Sequence, residues 1–119
     1  MTSKRPKHFV CPVDMTLSLI NGKWKPTILW LLTDRKHRFS EFQAAIPAVA
    51  HKVLSQQLRQ LEADGVIRRS VRDTPSIRVE YELTQFGRTL RPALNALASW
   101  GKAHHRAMGV EISMIGRRD

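Results

Sequence analysis

The chain has 119 residues, 20 Lys plus Arg against 10 Asp plus Glu, and a formal net charge of +10. That length suits one domain able to bury a core, and a hydrophobic fraction of 42% argues against a disordered basic tail. The longest strictly apolar run is five residues, Ile28 to Leu32, too short to span a bilayer. The basic start, Met1 to Lys7, leads into no apolar stretch of a secretory signal, and the single cysteine allows neither an internal disulfide framework nor a multi-Cys zinc cluster. The expectation is a cytoplasmic, basic globule whose partner is a polyanion, nucleic acid ahead of a membrane surface.

In chain order, a basic tail over residues 1–10 carries Lys4, Arg5 and Lys7 without an acid. Pro12 then suits a first helical turn, and Val13, Leu17 and Ile20 recur at helical spacing until Asn21-Gly22 stops a helix over 12–21. A second helix is expected over 23–32, with Trp24, Ile28, Leu31 and Leu32 apolar and Pro26 tolerated in its first turn. Ser40 reads as the N-cap of a short helix over 41–46, ended by Pro47. The next helix runs over 50–64 and stops at Gly65.

From Val66 the period changes. Ile77, Val79, Tyr81 and Leu83 alternate with Arg78, Glu80 and Glu82, the pattern of a half-buried antiparallel strand, and Val66 to Arg72 is a less regular partner. Asp73-Thr74-Pro75-Ser76 supplies the turn. Thr84 caps a long carboxy-terminal helix carrying Phe86, Leu90, Leu94, Leu97 and Gly101 in one stripe, with a kink or break expected near Leu90 to Arg91 because of Pro92. A tail follows over 107–119, which leaves 11–106 as the folded domain. The order of helices and hairpin is that of a winged helix-turn-helix: mainly α with a small β-hairpin, and terminal helices available for dimerisation.

The charge gathers where such a fold would meet nucleic acid. Residues 35–91 carry eleven bases against six acids. On a wheel of about 100° per residue from Lys52, Leu54, Leu58 and Leu61 fall near 200°, 240° and 180°, while Lys52, Ser55, Gln56 and Arg59 fall near 0°, 300°, 40° and 340°. The leucines make a core face and the polar stripe lies opposite, with Glu62 at its margin. Taken alone, such a stripe is equally the solvated face of a surface helix. Joined to the preceding short helix and the hairpin, it reads as a recognition helix whose residues reach bases and phosphates. Arg72 and Arg78 flank the turn and could clamp phosphates, whereas Arg68 and Arg69 lie nearer the base, where ordinary surface charge is as good a reading.

Cys11, Val13, Leu17, Leu90, Leu94, Leu97 and Trp100 raise two further questions. The apolar side chains either pack on their own core or face a second copy, and a joint face of the first and last helices serves both. Cys11 stands before a helix start with Lys7 nearby, a setting that favours thiolate, but a lone cysteine is equally a small buried hydrophobe. No catalytic constellation is present: no phosphate-binding glycine loop, no nucleophile elbow, no paired acids. His104 and His105 are neighbours pointing about 100° apart, so no metal site is expected, and no cofactor.

Several motifs in sequence order carry a resemblance. Cys11-Pro-Val, Gly22-Lys-Trp-Lys, Arg38-Phe-Ser-Glu-Phe, Leu54-Ser-Gln-Gln-Leu-Arg-Gln-Leu-Glu-Ala-Asp-Gly, Val79-Glu-Tyr-Glu-Leu-Thr and Trp100-Gly resemble the HxlR-type transcriptional regulators over residues 11–104. The resemblance implies a homodimer that binds an inverted-repeat operator in double-stranded DNA and that responds to electrophiles or oxidants through Cys11. It marks Ala50, His51, Lys52, Ser55, Gln56, Arg59, Arg72 and Arg78 as DNA-binding candidates. Ala50 departs from the Ser or Thr of many relatives, which removes a capping or phosphate-bonding hydroxyl, and Gln85 replaces a frequent Glu. Two other classes stay open: a non-specific architectural nucleic-acid binder and a winged-helix protein-interaction module.

Overall fold

The computed structural model describes residues 5–73 and 75–113. Lys4, Thr74 and the end of the carboxy-terminal tail lie outside them. Six helices and one hairpin follow in order: α1 (Pro12–Ile20), α2 (Lys25–Asp34), α3 (Phe39–Ala45), α4 (His51–Ala63), β1 (Ile67–Arg72), β2 (Arg78–Leu83), α5 (Gln85–Arg88) and α6 (Arg91–His104).

Local chemistry accounts for most boundaries. Cys11 is extended and Pro12 opens α1, as the missing N–H of proline permits. Gly22, at φ +150°, turns the chain into α2, and a Cβ there would lie 3.3 Å from the Gln57 side-chain amide, so a side chain would be both strained and crowded. α2 is central: Ile28, Leu29, Leu31 and Leu32 are all buried, so the helix is covered on several sides.

α3 begins earlier than the sequence suggests. Arg38, not Ser40, stands at the N-cap; its backbone N–H donates to the Glu41 carboxylate at 2.7 Å, which closes the first turn without the serine hydroxyl. α4 ends in a Schellman motif: the N–H of Val66 donates to Leu61 O and that of Gly65 to Glu62 O, both at 3.0 Å, with Gly65 at φ +76°.

The hairpin is antiparallel, paired from Ile67↔Leu83 to Arg72↔Arg78. His37 adds a third short edge, exchanging both backbone hydrogen bonds with Tyr81 at 3.0 and 2.8 Å. The expected alternation along β2 is not kept. Ile77 lies outside the strand and is 78% exposed, whereas Glu80, expected to face water, is 7% exposed. The hairpin rests on the core at Ile67 and Leu83, with Tyr81 packed against it, and residues nearer the tip lose apolar cover. Glu80 is instead covered by basic side chains, with Lys36 Nζ and Arg72 Nη1 each 3.5 Å from its carboxylate.

Thr84 caps α5, its hydroxyl accepting from Gly87 N at 2.9 Å. The carboxy-terminal helix is broken at Thr89-Leu90, where Pro92 in the first turn of α6 was expected to interrupt it. Phe86 is consequently an exposed residue of the short α5 rather than part of a continuous stripe with Leu94. The Arg91 guanidinium donates to Thr33 O at 3.1 Å and ties the start of α6 to the end of α2.

Candidate nucleic-acid interface

α4 presents two opposite faces. Leu54, Leu58 and Leu61 are buried against the core, and Lys52, Gln56 and Arg59 are exposed on the other side, with Ser55 half-buried beside them. α3 braces this helix through Phe39, whose ring lies 4.6 Å from that of His51, while Ile46 and Val49 bury the connecting turn. His51 is therefore exposed but packed, and Ala50 is an extended N-cap that offers no side-chain oxygen to the first turn. Gln57 turns away from the polar stripe; its Oε1 is buried without a hydrogen-bond partner among the described residues.

The hairpin stands beside α4, and its arginines divide by strand face. Arg68 pairs with Glu82 at 2.8 Å and Arg72 with Glu80 at 3.5 Å. The Arg68–Glu82 pair is largely exposed and worth about 0–1 kcal/mol, whereas the carboxylate that Arg72 meets belongs to the buried Glu80, which Lys36 also covers. Arg78 is half-buried and sits opposite Arg72 in the register, two cations with Glu80 close to one of them. Arg69 lies across from Tyr81, on the strand face that carries Ile67 and Leu83.

Away from α4, α1 and α6 enclose an open apolar groove of about 530 Å³ lined by Val13, Leu17, Leu90, Leu97 and Trp100. Leu94 is 4% exposed and belongs to the chain's own core, so it forms the floor of that groove rather than its rim. Leu97 and Trp100 are each 57% exposed. Cys11, half-buried, is the N-cap of α1 at one end of this face.

Sequence reasoning missed four residues that hold this arrangement. Arg5, counted with the basic tail, makes a double hydrogen bond to Asp64 at 3.1 and 2.7 Å and donates to Ser18 O, so it joins the end of α4 to α1; the carboxylate raises its pKa. Lys25 is buried nearby, and burial lowers its pKa against the opposing pull of Asp64. His37 is 1% exposed, stacked 5.0 Å from Phe42, with Nδ1 at 2.9 Å from Arg35 O; burial lowers its pKa, with the carbonyl acting the other way. Gly87 touches the backbone of Val66 so closely that a Cβ would fall 2.0 Å from its carbonyl oxygen. A histidine amid Arg35, Lys36 and Arg38 looks like one more exposed base, and the partners of Arg5, Lys25 and Gly87 are distant in sequence.

Among the described residues no three His, Cys, Asp or Glu side chains gather to hold a metal ion, and no helix is long and apolar enough to cross a membrane. Comparison with known proteins gives the family. The model of the HxlR-like helix-turn-helix matches residues 19–108. YtcD of Bacillus subtilis, described as an HTH-type transcriptional regulator, is 44% identical over 110 residues, covering 92% of this chain and 87% of its own. Among solved structures, the redox regulator HypR in its reduced form aligns with a TM-score of 0.78 and 40% identity, over 83% of this chain and 98% of that one. Diamide-treated YodB from B. subtilis aligns with a TM-score of 0.65 and 31% identity, over 81% and 96%. A helix-turn-helix braced by α3, a basic hairpin beside it and these likenesses lead to one conclusion: the chain belongs to the HxlR-like helix-turn-helix family, and it is a DNA-binding transcriptional regulator, not an enzyme.

Proposed function

We propose that two copies of the chain bind an inverted-repeat operator, each placing α4 in the major groove and its hairpin against the flanking backbone. The carrying observation is the exposed face of α4, where Lys52, Gln56 and Arg59 project opposite a fully buried leucine face. Lys52 and Gln56 read base edges with Ser55; Arg59, Arg72 and Arg78 hold phosphates; Ala50 and His51 contribute backbone and ring contacts at the helix start. A single helix reads only a few base pairs, so useful specificity requires the second copy. The second copy docks on the α1–α6 groove, whose exposed Val13, Leu17, Leu97 and Trp100 form one apolar face. The protein acts in the cytoplasm, beside the DNA it regulates.

The test is a titration with a duplex selected by the protein and a scrambled one, at two salt concentrations. Lys52→Ala and Gln56→Ala lower the ratio of the two affinities, whereas Arg72→Ala weakens both alike. Unchanged operator affinity in all three variants refutes the assignment. Equal affinity of the wild type for both duplexes makes it an architectural binder instead, and no binding to either makes it a protein-interaction module.

Cys11 is the proposed point of control. HypR is described as a redox regulator and YodB was solved after diamide treatment, and the one cysteine here stands at the N-cap of the helix that borders the α1–α6 groove. An electrophile adds to its thiolate directly; an oxidant takes two electrons and two protons from the Cys11 thiol and a second thiol, of a small molecule or of the second copy, and leaves the two sulfurs joined in a disulfide. Cys11→Ser keeps its DNA affinity under diamide or peroxide while the wild type changes; identical responses from the two proteins end the idea.

A further inference from the structure

One position in the hairpin breaks the pattern of its own strand. Along β1, Ile67, Arg69 and Val71 share a face, and Ile67 with its partner Leu83 is buried in the core. Arg69 is the next residue on that face, where an apolar side chain would extend the core. Its partner in the register is Tyr81, whose ring stands edge-on to Phe42 at 6.2 Å. The guanidinium therefore lies on the side of the hairpin that looks toward α4.

There it borders a notch of about 310 Å³ whose walls are Ser55, Arg59 and Glu62 from α4 and Arg69 and Tyr81 from the hairpin. Among the described residues, no carboxylate forms an ion pair with Arg59 or Arg69, in contrast to Arg68 and Arg72 on the opposite face. Glu62 offsets one of the two charges, so the notch keeps a net positive charge, and the other two lining residues, Ser55 and Tyr81, are of hydroxyl-bearing type. Planar guanidinium groups and hydroxyls around a concave space match a tetrahedral oxyanion.

We propose that this notch is a binding site for one phosphate of the DNA backbone, clamped between Arg59 of the recognition helix and Arg69 of the hairpin. The site fixes the angle between the two elements on the duplex and carries no base information. It deepens the DNA-binding reading above and rests on it.

The experiment measures affinity for a selected duplex and its scrambled counterpart from low to high salt, for the wild type, Arg69→Ala, Arg59→Ala, the double variant and Arg68→Ala. Arg69→Ala is expected to weaken both duplexes alike by on the order of tenfold, while the salt slope falls by about 0.9, one phosphate, in the double variant, because Arg59 alone still neutralises the shared phosphate. Because both arginines hold the same phosphate, the double variant loses less than the product of the two single losses. Arg68→Ala, on the other face, stays within about twofold. An Arg69→Ala protein with wild-type affinity, a double variant with the wild-type salt slope, or a multiplicative double variant overturns the proposal while leaving DNA binding intact. A wild type that binds no duplex fails the functional reading itself. Thermal shift with inorganic phosphate alone separates the other source of the same chemistry: stabilisation lost in Arg69→Ala, with DNA affinity unmoved, assigns the notch to free phosphate and overturns the duplex assignment.

Discussion

Gly87→Ala tests how the carboxy-terminal helices are seated on the recognition helix. A Cβ at this position would lie 2.0 Å from Val66 O and 3.0 Å from Val66 C, both backbone atoms that no rotamer change can move. Relief requires α5 to shift by more than an ångström, which disturbs the hydrogen bonds that Val66 O accepts from the Thr84 N–H and hydroxyl, each at 3.1 Å. Overpacking of this kind costs about 1–3 kcal/mol and the two weakened bonds about 1 kcal/mol together. Alanine returns about 1 kcal/mol in helix propensity. The net expectation is a loss of about 1–3 kcal/mol. With a urea m-value of roughly 1–3 kcal/mol per molar, the midpoint falls by about 1 M at fixed protein concentration. Urea unfolding followed by far-ultraviolet circular dichroism measures this. A midpoint equal to or above that of the wild type would falsify the reasoning, because propensity would then be the only term acting. Since the Val66 N–H closes the end of α4, the same variant also loses DNA affinity when the displacement reaches Leu61.

The Arg5–Asp64 pair, 25% and 9% exposed at the side chains, should give a coupling of about 1 kcal/mol in a double-mutant cycle of Arg5→Ala and Asp64→Ala; additive losses would show the contact to be idle. His37, whose pKa is lowered by burial, is neutral in the fold where an unfolded chain would already be protonated. The unfolded state therefore binds more protons, so stability falls as pH drops below the ordinary histidine value of about 6.5. The His37 ring should titrate below that value by NMR, and His37→Gln should flatten the unfolding midpoint across this range; a ring titrating at or above it contradicts the burial argument. Trp100→Glu places a charge on an exposed position of the proposed dimer face, so light scattering should report monomers while circular dichroism stays unchanged. A dimer of wild-type strength in that variant would move the interface elsewhere.

What the residues determined by themselves is local. Pro12, Gly65 and Thr84 mark real ends because each acts through φ, a missing N–H or a hydroxyl within its own turn. The two faces of α4 were legible because 3.6-residue periodicity is a property of one helix, and the break before α6 because proline cannot sit deeper in it. The start of α3 moved because two caps competed within one turn, and the backbone N–H of Arg38 found Glu41.

Tertiary structure decided everything that depends on who stands opposite. Glu80 looked like a solvated strand residue until Lys36 and Arg72 came from other parts of the chain to cover it. Leu94 reads as core or interface from its spacing alone; it is buried as the floor of the α1–α6 groove, while its neighbours Leu97 and Trp100 stay open. The chain's charge of +10 pointed to a polyanion without saying which cations are spoken for. Folding removes Arg5 to Asp64 and pairs Arg68 with Glu82, and it turns Arg69, indistinguishable from Arg68 in sequence, toward α4. A strand reverses its side chains at every residue, so adjacent arginines meet different surroundings, and only the packing of the sheet on its neighbours tells which of them faces the ligand.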